Sequence, residues 1–334
     1  MKIVVPMAGM GKRMRPHTLT VPKPLISIAG KPIVQRLVED IAKVCEEPID
    51  EVAFVINRAF GAAVEEQLKA IAANLGATGS IAYQDDPMGT AHAILCAEKA
   101  LEGKVVVAFA DTLFHADFQL DESQEGIIWV QKVEDPSAFG VVKLEDGVIT
   151  DFVEKPEEFV SDLAIIGIYY FKDGANLRKE LQYLIDHDIR IKGGEFGLTD
   201  ALENMKQKGL KFVPGQVDEW LDCGNKDATV HTNSRVLAHF KASHIDPTAH
   251  LENTMVIGNC FIGANTVIKD SIIGPGASIE DRSFIEKSVI QNTIIGGDTV
   301  IVNAVLENSL VGSHAGVRRK SMDLSISDFS QISI

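Results

Sequence analysis

The sequence predicts an α/β domain with a largely parallel sheet, followed by a parallel β-helix. Over roughly the first 240 residues, apolar strand-like runs alternate with stretches of helical periodicity, the pattern of an open sheet covered by helices. From about Ile257 an apolar residue recurs every five or six positions, with Gly, Asn, Asp and Ser between, as short stacked strands joined at tight corners require. A third observation locates a site. The first apolar run leads directly into VVPMAGMGKRMRPHTLTVPKPL, Val4 to Leu25, where two glycines are followed by Lys12, Arg13, Arg15 and Lys23.

The elements follow in order. Strands are expected at Lys2 to Val5, Glu51 to Ile56, Ser80 to Gln84, Val105 to Phe109, Ile127 to Val130 and Ile165 to Phe171. Helical spacing is carried by Ile33, Val34, Leu37, Val38 and Ile41, by the apolar positions from Ala91 to Leu101, and by those from Leu177 to Ile185. The later repeat consists of Ile257, Ile262, Ile268, Ile273, Ile279, Ile285, Ile290, Ile295, Ile301, Leu306, Val311 and Val317. The resulting division is a first domain over 1–240, a linker over 241–250 that contains Pro247, and a β-helix over 251–334. A β-helix has open ends, so a cap or a partner subunit is expected, and with it a homo-oligomer.

Composition narrows the function. The 334 residues are 46% hydrophobic and 24% charged, an ordinary globular profile, and no membrane segment is apparent. The chain enters a strand without an apolar signal region, and Cys45, Cys96, Cys223 and Cys260 lack metal-ligand spacing; a reducing cytoplasm is the expected location. The net charge of −15 disfavours nucleic-acid binding, which depends on excess Lys and Arg. The basic loop therefore suits a small polyanion such as a nucleoside triphosphate.

That loop is neither of two familiar phosphate motifs. Pro6 and Arg13 stand where a P-loop needs Gly and Ser or Thr, and the third glycine of the dinucleotide fingerprint is missing after Gly9 and Gly11. Glycines still let backbone N–H groups approach phosphate closely while the cations neutralise it. KVVVAFADT places Asp111 at the carboxyl end of a buried strand, the edge at which open α/β sheets bind ligands. IAYQDDPMGTAHAI places Gln84 and Gly89 after a third strand and before a helix, so three strand ends converge on one crevice. EWLDCGN supplies a second carboxylate, Asp222, and VEKP supplies Glu154 and Lys155. Two carboxylates with phosphate oxygens are a usual way to retain Mg2+, but the sequence does not establish that Asp111 and Asp222 meet.

These residues together resemble the sugar-1-phosphate nucleotidyltransferases, also called nucleoside-diphosphate-sugar pyrophosphorylases. Gly9, Gly11, Arg13, Pro16, Thr18 and Pro22 to Leu25 match the family's opening loop, and Gln84, Gly89, FADTLF, AFGVV, VEKP, the strand around Gly167 and EWLDCGN follow in the family's order. The C-terminal repeat, with SLVGSHAGVRRKSMDLSISDFSQI, is similar to the extension of long-form glucose-1-phosphate thymidylyltransferases. The resemblance implies a Rossmann-like domain with a mixed, mainly parallel sheet and a left-handed parallel β-helix. It implies that Ala8, Gly9, Gly11, Lys12, Gln84, Gly89 and Thr90 bind the nucleotide. Arg13 and Lys23 would neutralise the triphosphate and leaving pyrophosphate, and Asp111 and Asp222 would hold Mg2+. Gly140, Glu154, Lys155 and Gly167 would line the sugar-phosphate site. Two departures stand out: Lys12 replaces the usual Thr or Ser, and Ala8 is closer to the uridylyltransferase version of the loop.

The implied reaction joins a nucleoside triphosphate to a sugar 1-phosphate and releases pyrophosphate. The expected pair is dTTP and glucose-1-phosphate; UTP with glucose-1-phosphate and GTP with mannose-1-phosphate are the alternatives. A non-catalytic sugar-nucleotide sensor and a bifunctional enzyme with acyl transfer in the β-helix remain as rivals. For the latter, His314 is the histidine in the repeat, where a corner role is expected instead.

Overall fold

The computed structural model describes residues 1–117, 119–191 and 193–320. The chain divides into two compact units, one of Met1–Ile26 with Lys31–Asn225, the other of Ser27–Gly30 with the residues from Lys226 onward. Among the described residues no helix is long and apolar enough to cross a membrane.

The first unit is built on strand β1 (Lys2–Pro6), whose Ile3, Val4 and Val5 are wholly buried, as a strand covered on both faces requires. Helix α1 (Ile33–Val44) buries Ile33, Val34, Leu37, Val38, Ile41 and Val44, the stripe read from the sequence. Then come β2 (Glu51–Ile56), α2 (Ala62–Asn74), β3 (Thr78–Tyr83), α3 (Thr90–Leu95) and β4 (Val105–Ala108). These four strands are parallel, with Lys2 level with both Glu51 and Val105, and Glu51 level with Thr78. The chain steps outward from β1 through β2 to β3 and then returns to the other side of β1, so the β1–β4 gap is a topological switch point. The helix expected from Ala91 to Leu101 stops at Leu95 and resumes as one 3-10 turn at Glu98–Ala100.

Beyond β4 lies a short strand β5 (Thr112–His115), followed by β6 (Gly126–Lys132), β7 (Gly140–Glu145), β8 (Val148–Glu154) and β9 (Leu163–Phe171). Helices α4 (Gly174–Asp186) and α5 (Leu198–Gln207) follow, then β10 (Phe212–Gln216) and β11 (Glu219–Asp222). The sheet runs β8-β7-β9-β4-β1-β2-β3, with β6 and β10 paired on beside β9. Because β9 is antiparallel to β4, β6 and β7, the sheet is mixed. Strands β5 and β11 leave it and form a separate antiparallel ribbon.

The second unit holds helix α6 (Lys226–Ala238) and a left-handed parallel β-helix whose short strands stack in three sheets. Ile262, Ile268, Ile273, Ile279, Ile285, Ile290, Ile295 and Ile301 fill its interior without exposure. One member of the expected repeat is displaced. Ile257 is 42% exposed, and Val256, level with Ile273, takes the inward place because the strand there is Met255–Val256. Corners are turned by residues at positive φ, among them Asn265, Arg282, Asp298 and His314. Between corners, Ser271 Oγ accepts from Ser288 N at 3.1 Å and Ser288 Oγ accepts from Ala304 N at 3.2 Å, so hydroxyls satisfy backbone donors inside the stack.

This unit starts earlier than the sequence suggests. His244–Ile245 already pairs with Phe261–Ile262, inside the expected 241–250 linker. Helix α6 groups with the β-helix, not with the expected first domain over 1–240, because its buried Asn233 bonds into the stack: Nδ2 donates to Gly276 O at 3.1 Å, and Oδ1 accepts from Ser278 Oγ at 2.7 Å and from Ala29 N at 2.9 Å. Residues 321–334 of the expected β-helix, with the SMDLSISDFSQI part of the quoted motif, lie outside the described residues.

Candidate active site along one sheet edge

Parallel alignment puts the carboxyl ends of β1, β2, β3 and β4 on one edge, where the candidate residues of the glycine loop, Gln84 and Asp111 follow their strands. The loop after β1 is anchored by Met7 N donating to Val55 O at 2.8 Å. Gly11 has φ of 58°, and a Cβ there would lie 2.9 Å from Thr18 Cγ2 and 3.1 Å from Lys23 Cβ, so glycine is required by both conformation and space. Thr18 Oγ1 donates to Gly11 O at 2.8 Å and closes the loop. Lys12–Met14 forms one 3-10 turn whose Met14 is fully buried, and this anchor leaves Lys12 and Arg13 at the surface. A Cβ at Gly9 would meet nothing within 4 Å, so that backbone stands open beside the cations, with Ala8 half-exposed before it.

Asp111 and Asp222 do meet. The β5–β11 ribbon pairs Thr112 with Asp222, and Cys223 N donates to Asp111 O at 2.8 Å, which sets the two carboxylates side by side. Lys23 Nζ lies 2.7 Å from Asp111 Oδ2. Asp222 Oδ1 accepts from Gly224 N at 2.9 Å. A Cβ at Gly224 would stand 3.0 Å from Asp222 Oδ1 and 3.3 Å from Arg13 Nη2, so this glycine lets the Arg13 guanidinium approach the carboxylate. Burial pushes the Asp222 carboxyl up and the Asp111 charge adds to it, while the Gly224 N–H, Lys23 and Arg13 oppose them. Two like charges are thus held together by two cations from the loop.

On the β3 side, Gln84 is buried, with Nε2 donating to Gly89 O at 3.1 Å. Gly89 has φ of 112°, and a Cβ there would collide with Phe196 O at 2.4 Å. The Thr90 hydroxyl accepts from Leu198 N at 3.0 Å, so it ties α3 to α5. On the other side, Gly167 sits at the register shift of β9 with φ of 86°, and its carbonyl accepts from Phe109 N at 2.9 Å. Gly140 is level with Glu154, whose Oε2 would lie 3.1 Å from a Cβ at Gly140. Lys155, at φ of 43°, donates its N–H to Phe139 O and reaches Glu154 Oε1 at 3.7 Å. Burial, then the charges of Glu154 and Asp111, raise the pKa of the buried Tyr169 hydroxyl.

Two residues absent from the sequence reading belong to this edge. Thr199 Oγ1 is buried with no partner among the described residues, and its methyl would lie 3.7 Å from a Cβ at Gly140. Trp220 Nε1 is likewise buried and unpaired, with its ring edge-to-face against Phe139 at 5.1 Å. The available signal for Trp220 was strand periodicity, which puts it on the face of Asp222 two residues on. Thr199 carried no signal.

In sheet order, then, Gln84 comes first, then the glycine loop two strands away, then Asp111, Gly167 and finally Gly140 with Glu154. Two strand spacings are about 10 Å. The glycine loop, the loop cations and the two carboxylates thus share one line of strand ends. The chain belongs to the nucleotidyl transferase family, which matches residues 2–239. It is 28% identical to a glucose-1-phosphate thymidylyltransferase of Streptomyces antibioticus, over 95% of this chain and 93% of that one. It is 30% identical to the catalytic subunit beta of mannose-1-phosphate guanylyltransferase from Xenopus tropicalis, over 91% and 92%. The structure of a UDP-glucose pyrophosphorylase in complex with UDP-glucose superposes with a TM-score of 0.58 at 26% identity, covering 70% of this chain and 97% of that one.

Proposed function

We propose that this chain transfers a nucleotidyl group from dTTP to glucose-1-phosphate, giving dTDP-glucose and pyrophosphate. The observation that carries the reading is the meeting of Asp111 and Asp222 beside Lys23 and Arg13 at the switch point of the sheet. A phosphate oxygen of the sugar 1-phosphate attacks the α-phosphorus of the triphosphate; the bond to the β-phosphate breaks and pyrophosphate leaves. The attacking oxygen is already ionised, so the barrier lies in bringing two polyanions into line, and positioning with charge neutralisation is what the protein must supply.

In this reading, the open backbone at Gly9, held by the tight turn at Gly11, receives the triphosphate, Arg13 neutralises the leaving pyrophosphate, and Lys23 holds Asp111 in place while facing the phosphates. Gln84 and Gly89 meet the base. Lys155 grips the sugar phosphate, and Glu154, with Gly140 and Gly167 leaving room, accepts from sugar hydroxyls. Asp111 and Asp222 form a pair of hard oxygen donors that fits Mg2+, which takes one or two carboxylates and completes its shell with phosphate and water. When bound, the ion would supply further neutralisation of the phosphate oxygens.

The choice of dTTP and glucose-1-phosphate is supported by the thymidylyltransferase similarity over nearly the whole chain. A second reading, GTP with mannose-1-phosphate, is favoured by the guanylyltransferase similarity of equal extent. Pyrophosphate release with Mg2+ across dTTP, UTP, GTP, CTP and ATP against glucose-1-phosphate, mannose-1-phosphate and N-acetylglucosamine-1-phosphate separates them. A maximum at dTTP with glucose-1-phosphate is expected. A maximum at GTP with mannose-1-phosphate selects the second reading, and silence throughout with nucleotide-sugar still bound would make the protein a sensor.

A further inference from the structure

The amide of Gln84 is spoken for on one side. Nε2 donates to Gly89 O at 3.1 Å and lies 3.0 Å from His92 Nδ1. An amide nitrogen carries two hydrogens and accepts nothing, so His92 Nδ1 is the acceptor and the imidazole proton sits on Nε2, which faces Cys96 Sγ at 3.9 Å. Burial lowers the His92 pKa against the opposing charge of Asp86, which favours that neutral ring. Rotating the amide by half a turn would set Oε1 against Gly89 O and put two acceptors in contact. Gly89 cannot yield, because its backbone is wedged against Phe196, whose N donates to Met88 O at 2.8 Å and whose O accepts from Ala91 N at 3.0 Å. Oε1 accepts from none of the described residues and is left as the outward atom.

We propose that His92 is a positioning residue for base selection: by accepting from Gln84 it fixes Oε1 as an acceptor toward the nucleotide. This rests on the reading of Gln84 as the base contact. A fixed acceptor pairs with a ring N–H, which thymine, uracil and guanine offer on their Watson–Crick edge. Cytosine and adenine present a bare ring nitrogen there, which leaves two acceptors opposed. The pocket is thereby tuned to bases with a protonated ring nitrogen, a wider class than thymine alone.

The test is calorimetric binding of dTTP, CTP and glucose-1-phosphate to the wild type, His92→Phe, His92→Gln and Gln84→Ala. His92→Phe keeps a ring but removes the acceptor. It is expected to weaken dTTP about 10-fold, the scale of one lost hydrogen bond, and to shrink the dTTP-to-CTP preference by a similar factor while glucose-1-phosphate binding is unmoved. His92→Gln retains an acceptor and is expected to restore the preference, which a loss of folding would not allow. An unchanged preference in His92→Phe, with Gln84→Ala destroying it, would overturn the role of His92 and leave Gln84 at the base. An unchanged preference in Gln84→Ala would place the base elsewhere and overturn both.

Discussion

Lys23 Nζ lies 2.7 Å from Asp111 Oδ2, an ion pair between residues 88 positions apart. Lys23 is largely sheltered, at 13% side-chain exposure, while Asp111 keeps 36%. The lysine comes from the loop after β1 and the carboxylate follows β4, so the pair spans the switch point and fixes one side of the site. It also lowers the repulsion that Asp222 meets from its neighbour.

Arg13 is the second cation at this point, and its guanidinium reaches the Asp222 side past Gly224. Arg13→Ala is expected to lower kcat at least about 100-fold, the scale of losing one electrostatic stabiliser. Because Arg13 is exposed, the thermal midpoint should stay within a few degrees of the wild type. Steady-state kinetics beside a melting curve check both halves.

Gly11→Ala combines a positive φ with a Cβ 2.9 Å from Thr18 Cγ2. A left-handed backbone alone costs a non-glycine residue roughly 1–2 kcal/mol, so this substitution should destabilise the protein by at least that much and weaken triphosphate binding as the loop shifts. Gly9→Ala, with open space around it, is the control: urea titration should show little change.

Asn233 uses three hydrogen bonds, to Ala29, Ser278 and Gly276, and is wholly buried. Asn233→Ala removes these three bonds from buried surroundings. At about 1–3 kcal/mol for each buried bond removed, a loss of at least about 2 kcal/mol is expected in urea unfolding. The same experiment on Thr248→Ala, at an exposed corner, should give less than about 1 kcal/mol.

Glu122 contributes stability that is lost in acid. Burial pushes its carboxyl up, but the Lys104 ammonium at 2.8 Å and the N–H groups of Glu46 and Glu47 outweigh it, and the folded pKa is lowered. A lowered folded pKa contributes stability above the unfolded value, about 4.3, and that contribution is lost as pH falls through the folded pKa. Unfolding free energy measured below about pH 4.3 should therefore decline in the wild type and decline less steeply in Glu122→Gln.

Much of this architecture was legible in the sequence because it is local. The apolar runs of β1, β2 and β4 and the stripe of α1 announce themselves by periodicity, and the isoleucine repeat marks the β-helix. What escaped depends on long-range register. Asp111 and Asp222 meet only because β5 and β11 leave the sheet and pair, which no local pattern encodes. Ser27–Gly30 groups with the β-helix through Asn233 and through Ser27 Oγ donating to Glu280 Oε1 at 2.7 Å, contacts across more than two hundred residues. Ile257 has the right spacing and the wrong side, since a one-residue change in strand position exchanges inside for outside. The tautomer of His92 is visible only once Gln84 and Gly89 are in place.

In the proposed reaction, the carboxylate pair beside the loop cations promotes attack of a sugar phosphate on a nucleoside triphosphate. Phosphorus NMR of dTTP, glucose-1-phosphate and Mg2+ with wild type and with Asp111→Asn is the decisive measurement. Nucleotide-sugar and pyrophosphate signals should grow together in the wild type, and at least about 100-fold more slowly in the variant, which should still fold. Equal rates in the two proteins would remove the carboxylate pair from the reaction.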